Sequence, residues 1–194
     1  MPVPYRKTPR AAEFGQAVYL DVLWLPTDRA LYGALMIIDG KGQPQEFVHN
    51  MLTAPAGLLW QKESVISLGT VKLTHSLFDA CRREPDLLVC LPSLGSPDYL
   101  KNEIAPSVPF VQVVPESGGV PAEWNWINDP PSSGMRAAIL AQELAKRGYI
   151  TEPFDRLHNA LRMVYPQASW KDLQESEYVS DDEEEDDDDL DWKE

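Results

Sequence analysis

Three apolar segments joined by tight turns, all within residues 16–50, constrain the fold of this chain most. Gln16–Leu25 is rich in β-branched and apolar residues, as in a buried strand. Residues 26–29 form a turn, and residues 31–38 are a second apolar segment. Asp39-Gly40-Lys41-Gly42 is a strong turn signal, after which residues 45–50 alternate between polar and apolar. We therefore expect an antiparallel meander of three strands.

The rest of the chain alternates between helical and strand patterns. Helices are expected at 67–84, 134–147 and 151–165, with a short one at 98–104, and buried strands at 86–91 and Phe110–Val114. Ser132 or Ser133 is the expected N-cap of the 134–147 helix and Gly148 its stop, while 116–131 is expected to be a loop. The order resembles an RNase H-like α/β fold, a mixed sheet of three antiparallel strands followed by parallel strands and flanked by helices. Other α+β sheets would also fit the pattern.

Two segments resemble the endonuclease V family and the C-terminal nuclease domain of the UvrC repair protein. The first, residues 17–47, is AVYLDVLWLPTDRALYGALMIIDGKGQPQEF, a strand containing an aspartate followed by two strands across a DG turn. The second, residues 77–114, is LFDACRREPDLLVCLPSLGSPDYLKNEIAPSVPFVQVV, a helix, a PDL start of a strand, a glycine-containing loop and a further strand. The resemblance implies a nuclease fold.

Nucleases of this kind need several carboxylates to hold Mg²⁺ ions that activate water and neutralise the scissile phosphate. The resemblance places Asp21 at the first-strand carboxylate. The second carboxylate belongs where residues 89–95 read VCLPSLG, which contains no acid. The implied catalytic set is therefore degenerate, and we expect neither a metal nor another cofactor. Asp21 would then make a structural polar contact. If the chain is instead a Mg²⁺-dependent endonuclease, Asp21 would bind metal together with carboxylates chosen from Glu63, Asp98, Asp129 and Glu143.

Other polar and aromatic residues suggest binding surfaces. Trp124 and Trp126 flank an asparagine and are expected either to stack on bases or on a partner's apolar surface, or to cover the sheet edge. Ser93, Ser96 and Asp98 lie in a loop after a predicted strand, where ligands bind in α/β sheets. The three histidines, His49, His75 and His158, lack metal-binding spacing and are expected at the surface or satisfied by neighbours.

The net charge of −14 lies almost entirely in the C-terminal segment. Residues 172–194 hold fourteen acids and one lysine, or −13, and residues 1–171 hold seventeen acids and sixteen bases, or −1. Such an acidic run is expected to be disordered. Residues 175–194, which include Trp192 inside the acidic run, are expected to bind a basic protein partner. Because the body is nearly neutral, its own binding of nucleic acid is expected to be weak.

Cys81 and Cys90 each lie in apolar sequence and are expected to be a buried, reduced pair. The chain shows no signal peptide or membrane span, so we expect a cytoplasmic protein, or a nuclear one in a eukaryote, with no membrane partner.

The sequence therefore predicts an extended arm at 1–14, an RNase H-like domain at 15–170 and an acidic tail at 171–194. The expected function is that of a pseudonuclease, a non-catalytic or weakly catalytic binding or adaptor subunit. Its tail would engage a basic protein or limit access to nucleic acid. The alternatives are a metal-dependent nuclease acting on DNA or RNA and an acidic chaperone for a basic client.

Overall fold

Residues 14–55, 61–94, 99, 102, 107–114, 122–127 and 129–175 are described by a computed structural model. Outside these residues lie positions 1–13 of the predicted arm, most of the predicted helix at 98–104, Ser96, Asp98, and the predicted tail from residue 176 on, with Trp192. The elements, in chain order, are β1 (Gln16–Leu25), β2 (Ala30–Asp39), β3 (Pro44–Thr53), α1 (Lys62–Ala80), β4 (Leu87–Cys90), β5 (Phe110–Val114), β6 (Glu123–Trp126), α2 (Arg136–Lys146), α3 (Glu152–Val164) and α4 (Asp172–Glu175).

The strands form one mixed sheet in the order β3-β2-β1-β4-β5-β6. β1, β2 and β3 are antiparallel neighbours, as the turn signals predicted, and β4 then pairs in parallel with both β1 and β5. The RNase H-like arrangement of three antiparallel strands followed by parallel strands is therefore confirmed. The described helices are not long and apolar enough to span a lipid bilayer.

Each face of the sheet has its own hydrophobic core, because side chains of successive strand residues point to opposite faces. Val18 and Leu20 of β1 point to the face covered by α1, where they pack with Leu73 and Leu77. Ala17 and Tyr19 point to the other face, which α2 and α3 cover. This alternation decides on which face each polar residue of β1 lies.

The region predicted as a loop at 116–131 contains a strand, and this part of the prediction was wrong. Residues Glu123–Trp126 pair antiparallel with β5, so that Trp126 lies opposite Val111 and Trp124 opposite Val113. Alternation of aromatic and polar residues suits a half-buried strand, and both tryptophans pack against the core on the α2–α3 face. Proline and glycine around the segment obscured this signal.

The helix ends differ in part from expectation. α2 starts at Arg136 with Met135 at the N-cap and without a capping side chain, so neither Ser132 nor Ser133 is its cap. The Ser132 carbonyl instead accepts the Met135 amide at 2.7 Å in the preceding turn. Gly148 does end this helix, with a φ of 77° that favours glycine.

Candidate functional site at Asp21

Asp21 lies where the parallel pair of strands β1 and β4 ends. Its neighbour Leu20 is in register with Cys90, the last residue of β4, so Asp21 is one residue beyond the pairing. The carboxyl end of parallel strands is where α/β sheets bind their ligands. Asp21 follows Tyr19 on the same face, so its side chain lies under α3.

The Asp21 carboxylate is fully buried, and both of its oxygens are hydrogen-bonded within the chain. Oδ2 lies 2.7 Å from Nε2 of His158, and Oδ1 accepts the backbone N–H of Val22 at 2.9 Å. A buried carboxylate is costly unless it is paired and hydrogen-bonded. His158 and the Val22 amide supply these partners.

His158 reaches Asp21 because it lies on the buried stripe of α3. The stripe consists of Phe154, Leu157 and Leu161, and His158 is one turn after Phe154. Its side chain is 23% exposed, whereas that of Asp21 is 0% exposed. The pair thus has an inner carboxylate and an outer imidazole that touches solvent.

A set of contacts between α3 and the sheet fixes the position of His158. The Tyr19 hydroxyl donates to the Tyr149 carbonyl just before α3, and the Tyr19 ring packs edge-on against Phe154 at 5.2 Å. Burial raises the pKa of Tyr19 well above its ordinary value, with the charge of Arg156 opposing this rise. Arg156 donates from Nη1 to the Gly42 carbonyl at 2.8 Å, which ties α3 to the β2–β3 turn. We call these contacts of Tyr19, Gly42, Tyr149 and Arg156 the α3 latch.

The Cys90 thiol, at the end of β4 but on the α1 face of the sheet, is unsuited to nucleophilic chemistry. Cys90 is buried, and burial raises the pKa of its thiol, with the charge of Asp21 raising it further. A thiol with a raised pKa stays protonated and is a poor nucleophile and metal ligand. Both cysteines are free, as predicted, although Cys81 is only half-buried.

The donors around Asp21 do not fit Mg²⁺. That ion prefers several oxygen ligands in octahedral geometry, whereas the Asp21 carboxylate contacts an imidazole and a backbone amide. Over the part of the chain that the structure describes, no three or more His, Cys, Asp or Glu side chains are grouped to hold a metal ion.

The acids expected to join Asp21 in a nuclease lie elsewhere or outside the described residues. Glu63 is exposed in the first turn of α1, on the opposite face of the sheet. Glu143 of α2 pairs with Lys146 at 3.1 Å and with Arg147 at 3.7 Å. Asp129 is exposed in the segment before α2.

The predicted binding residues are not brought together with Asp21. Trp124 and Trp126 are half-buried on the edge strand β6, and Nε1 of Trp124 is buried with no hydrogen-bond partner among the described residues. Ser93 is exposed in the single 3₁₀ turn Pro92–Leu94 that follows β4.

His158 is the site residue that sequence reasoning missed. The spacing of the histidines matches no metal-binding pattern and so gives no sign of a role for His158. The available signal was its place within the apolar stripe of α3, because a polar residue on a buried helix face needs a polar partner.

Comparison with known proteins shows similarity in fold only. No protein-family model matches the sequence, and a search of curated proteins finds none similar to it. Among solved structures, the chain is similar to an endonuclease V from Streptomyces avermitilis, at 12% identity over 77% of this chain and 82% of that one, with a TM-score of 0.48. An endonuclease V from Ciona intestinalis, in complex with a 24mer DNA containing an inosine followed by a ribo-adenosine, is 10% identical over 76% of this chain and 57% of that one, with a TM-score of 0.40. An endonuclease V from Bacillus subtilis is 15% identical over 59% of this chain and 54% of that one, with a TM-score of 0.36. At these identities the similarity concerns the fold alone. The three structures belong to the endonuclease V family, which the sequence segments also resemble.

Proposed function

We propose that this chain is a non-catalytic binding subunit built on an RNase H-like sheet, in which Asp21 is a structural residue. The observation that carries the proposal is the engagement of both Asp21 oxygens by the chain's own groups. A carboxylate that serves a metal ion needs at least one oxygen directed to the ion. Here Oδ2 is directed to His158 and Oδ1 to the Val22 amide.

The chemistry at the ends of β1 and β4 supports the same proposal. Beyond β4 the chain continues as Leu91-Pro92-Ser93-Leu94, which offers no carboxylate to share a metal with Asp21. The Cys90 side chain lies on the α1 face of the sheet, opposite to that of Asp21, and burial raises the pKa of its thiol. A single buried acid with a histidine partner stabilises a fold but does not provide the clustered charge that phosphodiester hydrolysis needs.

The distribution of charge favours a basic protein as the partner. Residues 176–194 contain twelve acids and one lysine, and they attract cationic surfaces over roughly a Debye length, about 8 Å at physiological salt. A polyanionic segment next to a nearly neutral body also repels nucleic acid and opposes its binding. The tail would therefore hold a basic protein partner or limit the access of nucleic acid to the body.

One observation favours the rival function of a metal-dependent nuclease. Asp21 lies at the carboxyl end of parallel strands, where ligand sites occur, and the outer side of His158 is open to solvent. A rotation of His158 would uncover Oδ2 of Asp21. The rival requires activity that disappears when Asp21 is changed.

The proposal is tested by capture and by a nuclease assay on the same proteins. Three proteins are immobilised: the full-length chain, a variant ending at Glu175, and a variant with the acids of 176–194 changed to Asn and Gln. The proteins that each of them retains are then quantified. We expect basic proteins to be retained by the full chain and lost with both variants, because both remove the charge. Equal retention by all three would contradict the binding function.

The nuclease arm uses single-stranded, structured and lesion-bearing DNA and RNA with Mg²⁺ or Mn²⁺. We expect no cleavage above background from the full chain. Cleavage that is lost in Asp21→Asn but kept in Asp79→Asn, an exposed acid at the end of α1, would establish the rival instead.

A further inference from the structure

An apolar groove lies between the start of α1 and the end of β3, on the face of the sheet opposite Asp21. It has a volume of about 210 Å³, and we call it the α1–β3 groove. Its described lining includes Leu31, Leu52, Pro55, Val65, Leu68 and Lys72. Apolar cavities of roughly 150 Å³ take up benzene, so this groove has room for one aromatic or leucine side chain.

The walls of the groove expose apolar surface that a neighbouring group would cover. Leu68 of α1 is 54% exposed and Leu52 of β3 is 36% exposed. Gly69 brings helix and strand close together at the base, since a Cβ there would lie 2.3 Å from Cδ1 of Leu31. Removing a leucine-sized side chain from water is favourable, so this exposed surface suits an apolar occupant.

The last described residues of the chain lie near the β1–β2 turn, which also contacts one wall of this groove. Asp172 accepts hydrogen bonds from the backbone N–H and hydroxyl of Thr27, at 3.0 and 3.1 Å, and so holds the chain at the β1–β2 turn. The same turn is tied to the groove wall, because the Arg29 carbonyl accepts the Ala54 amide at 2.8 Å and Nη2 of Arg29 donates to the Pro55 carbonyl at 3.2 Å. The β1–β2 turn therefore contacts both Asp172 and the wall of the groove.

The tail is long enough to reach the groove. Leu190 lies fifteen positions after Glu175, and a chain of this length spans up to about 50 Å when extended. This reach is several times the thickness of one packed layer, about 10 Å, around which the segment has to pass at the β1–β2 turn.

The charges at the groove are complementary to the tail. Arg29, Lys62 and Lys72 are exposed around it, with Glu63 as the acid in the first turn of α1. The positive end of the α1 dipole points the same way. The tail places Leu190 and Trp192 within a run of acids, so that an apolar side chain comes with negative charge on both sides.

We infer that the α1–β3 groove is the docking site of the chain's own acidic tail, with Leu190 or Trp192 in the groove and the flanking acids against Arg29, Lys62 and Lys72. Docking holds the tail on the body while no partner is bound. A basic protein competes for the same acids and releases the segment. Docking of the tail does not depend on whether the domain is catalytic, whereas its release by a basic protein rests on the proposed function.

Photo-crosslinking of the full chain tests this inference. Trp192 is replaced by p-benzoylphenylalanine, the protein is irradiated at low concentration, and the crosslinked peptides are mapped by mass spectrometry. We expect crosslinks in the monomer to residues 51–55 or 62–72. Crosslinks spread over the body, or found elsewhere on it, would overturn the inference, and so would crosslinks confined to a dimer, which would show that the groove takes the tail of a second copy.

A matched pair of variants controls the test. Leu68→Glu places a negative charge in the groove at an exposed position and is expected to reduce the crosslink yield to less than about a third, because it removes apolar contact and repels the tail. Met163→Glu adds the same charge at an 83% exposed position on α3 and should leave the yield unchanged. An equal yield in Leu68→Glu and the parent protein would also overturn the inference.

Discussion

Replacing His158 with alanine is expected to destabilise the protein by about 3 kcal/mol, because it leaves Oδ2 of the buried Asp21 carboxylate without a partner. The loss of stability is smaller than the largest losses measured for broken buried ion pairs, because His158 is partly exposed and water can reach Asp21 from its side. Urea unfolding followed by circular dichroism measures the change, and the midpoint should fall with an unchanged slope.

A double-mutant cycle separates the pair from the loss of packing. Asp21→Asn in the His158→Ala background should cost less than Asp21→Asn alone, with a coupling energy of about 1–3 kcal/mol. Met163→Ala, an exposed change on the same helix, should stay within about 0.5 kcal/mol of the parent. Additive effects of the two changes at Asp21 and His158 would mean that the hydrogen bond contributes nothing.

Gly42→Ala is expected to cost about 3 kcal/mol, the second largest effect, because it combines backbone strain with overpacking. The φ of Gly42 is 77°, and a Cβ there would lie 2.2 Å from Cε2 of Tyr149. The Tyr149 ring lies 5.5 Å from the guanidinium of Arg156, another member of the α3 latch, so turning the ring away from Gly42 disturbs the contacts at the start of α3. Thermal unfolding and the near-ultraviolet circular dichroism of the aromatic residues report the change.

Two other glycines provide matched controls for this prediction. Gly148 has the same φ of 77° but nothing within 4 Å of its Cβ position, so Gly148→Ala should show the backbone cost alone, about 1 kcal/mol. Gly134 has neither strain nor a near neighbour, so Gly134→Ala should be neutral. If Gly42→Ala costs no more than Gly148→Ala, the contact with Tyr149 does not hold α3 in place.

The sequence predicted the sheet well because its signals are local. Turn residues such as Asp39 and Gly42 fix the hairpins, and the apolar runs of β1 and β5 have the predicted bounds. The strand β6 was missed because it is only four residues long and lies among prolines and glycines. Its pairing depends on β5, a contact that no local pattern reveals.

The candidate site was only half predictable for the same reason. Asp21 stands out as an acid within an apolar strand, so sequence alone singles it out. Its partner His158 is 137 residues away, and the two meet only because α3 packs back across the sheet. Which of the two roles Asp21 has, structural or metal-binding, depends on this contact.

The central claim is that Asp21 is a structural carboxylate, and metal-linked stability tests it most directly. The free energy of unfolding is measured for the parent protein and for Asp21→Asn, each with chelator and with millimolar Mn²⁺. Because the acidic tail is present in both proteins, any metal bound there affects both equally. Our account predicts that Asp21→Asn is less stable by about 1–3 kcal/mol and that Mn²⁺ shifts the two proteins by the same amount. Mn²⁺ that stabilises the parent by about 2 kcal/mol or more but leaves Asp21→Asn unchanged would show a metal ion bound at Asp21 and contradict the account.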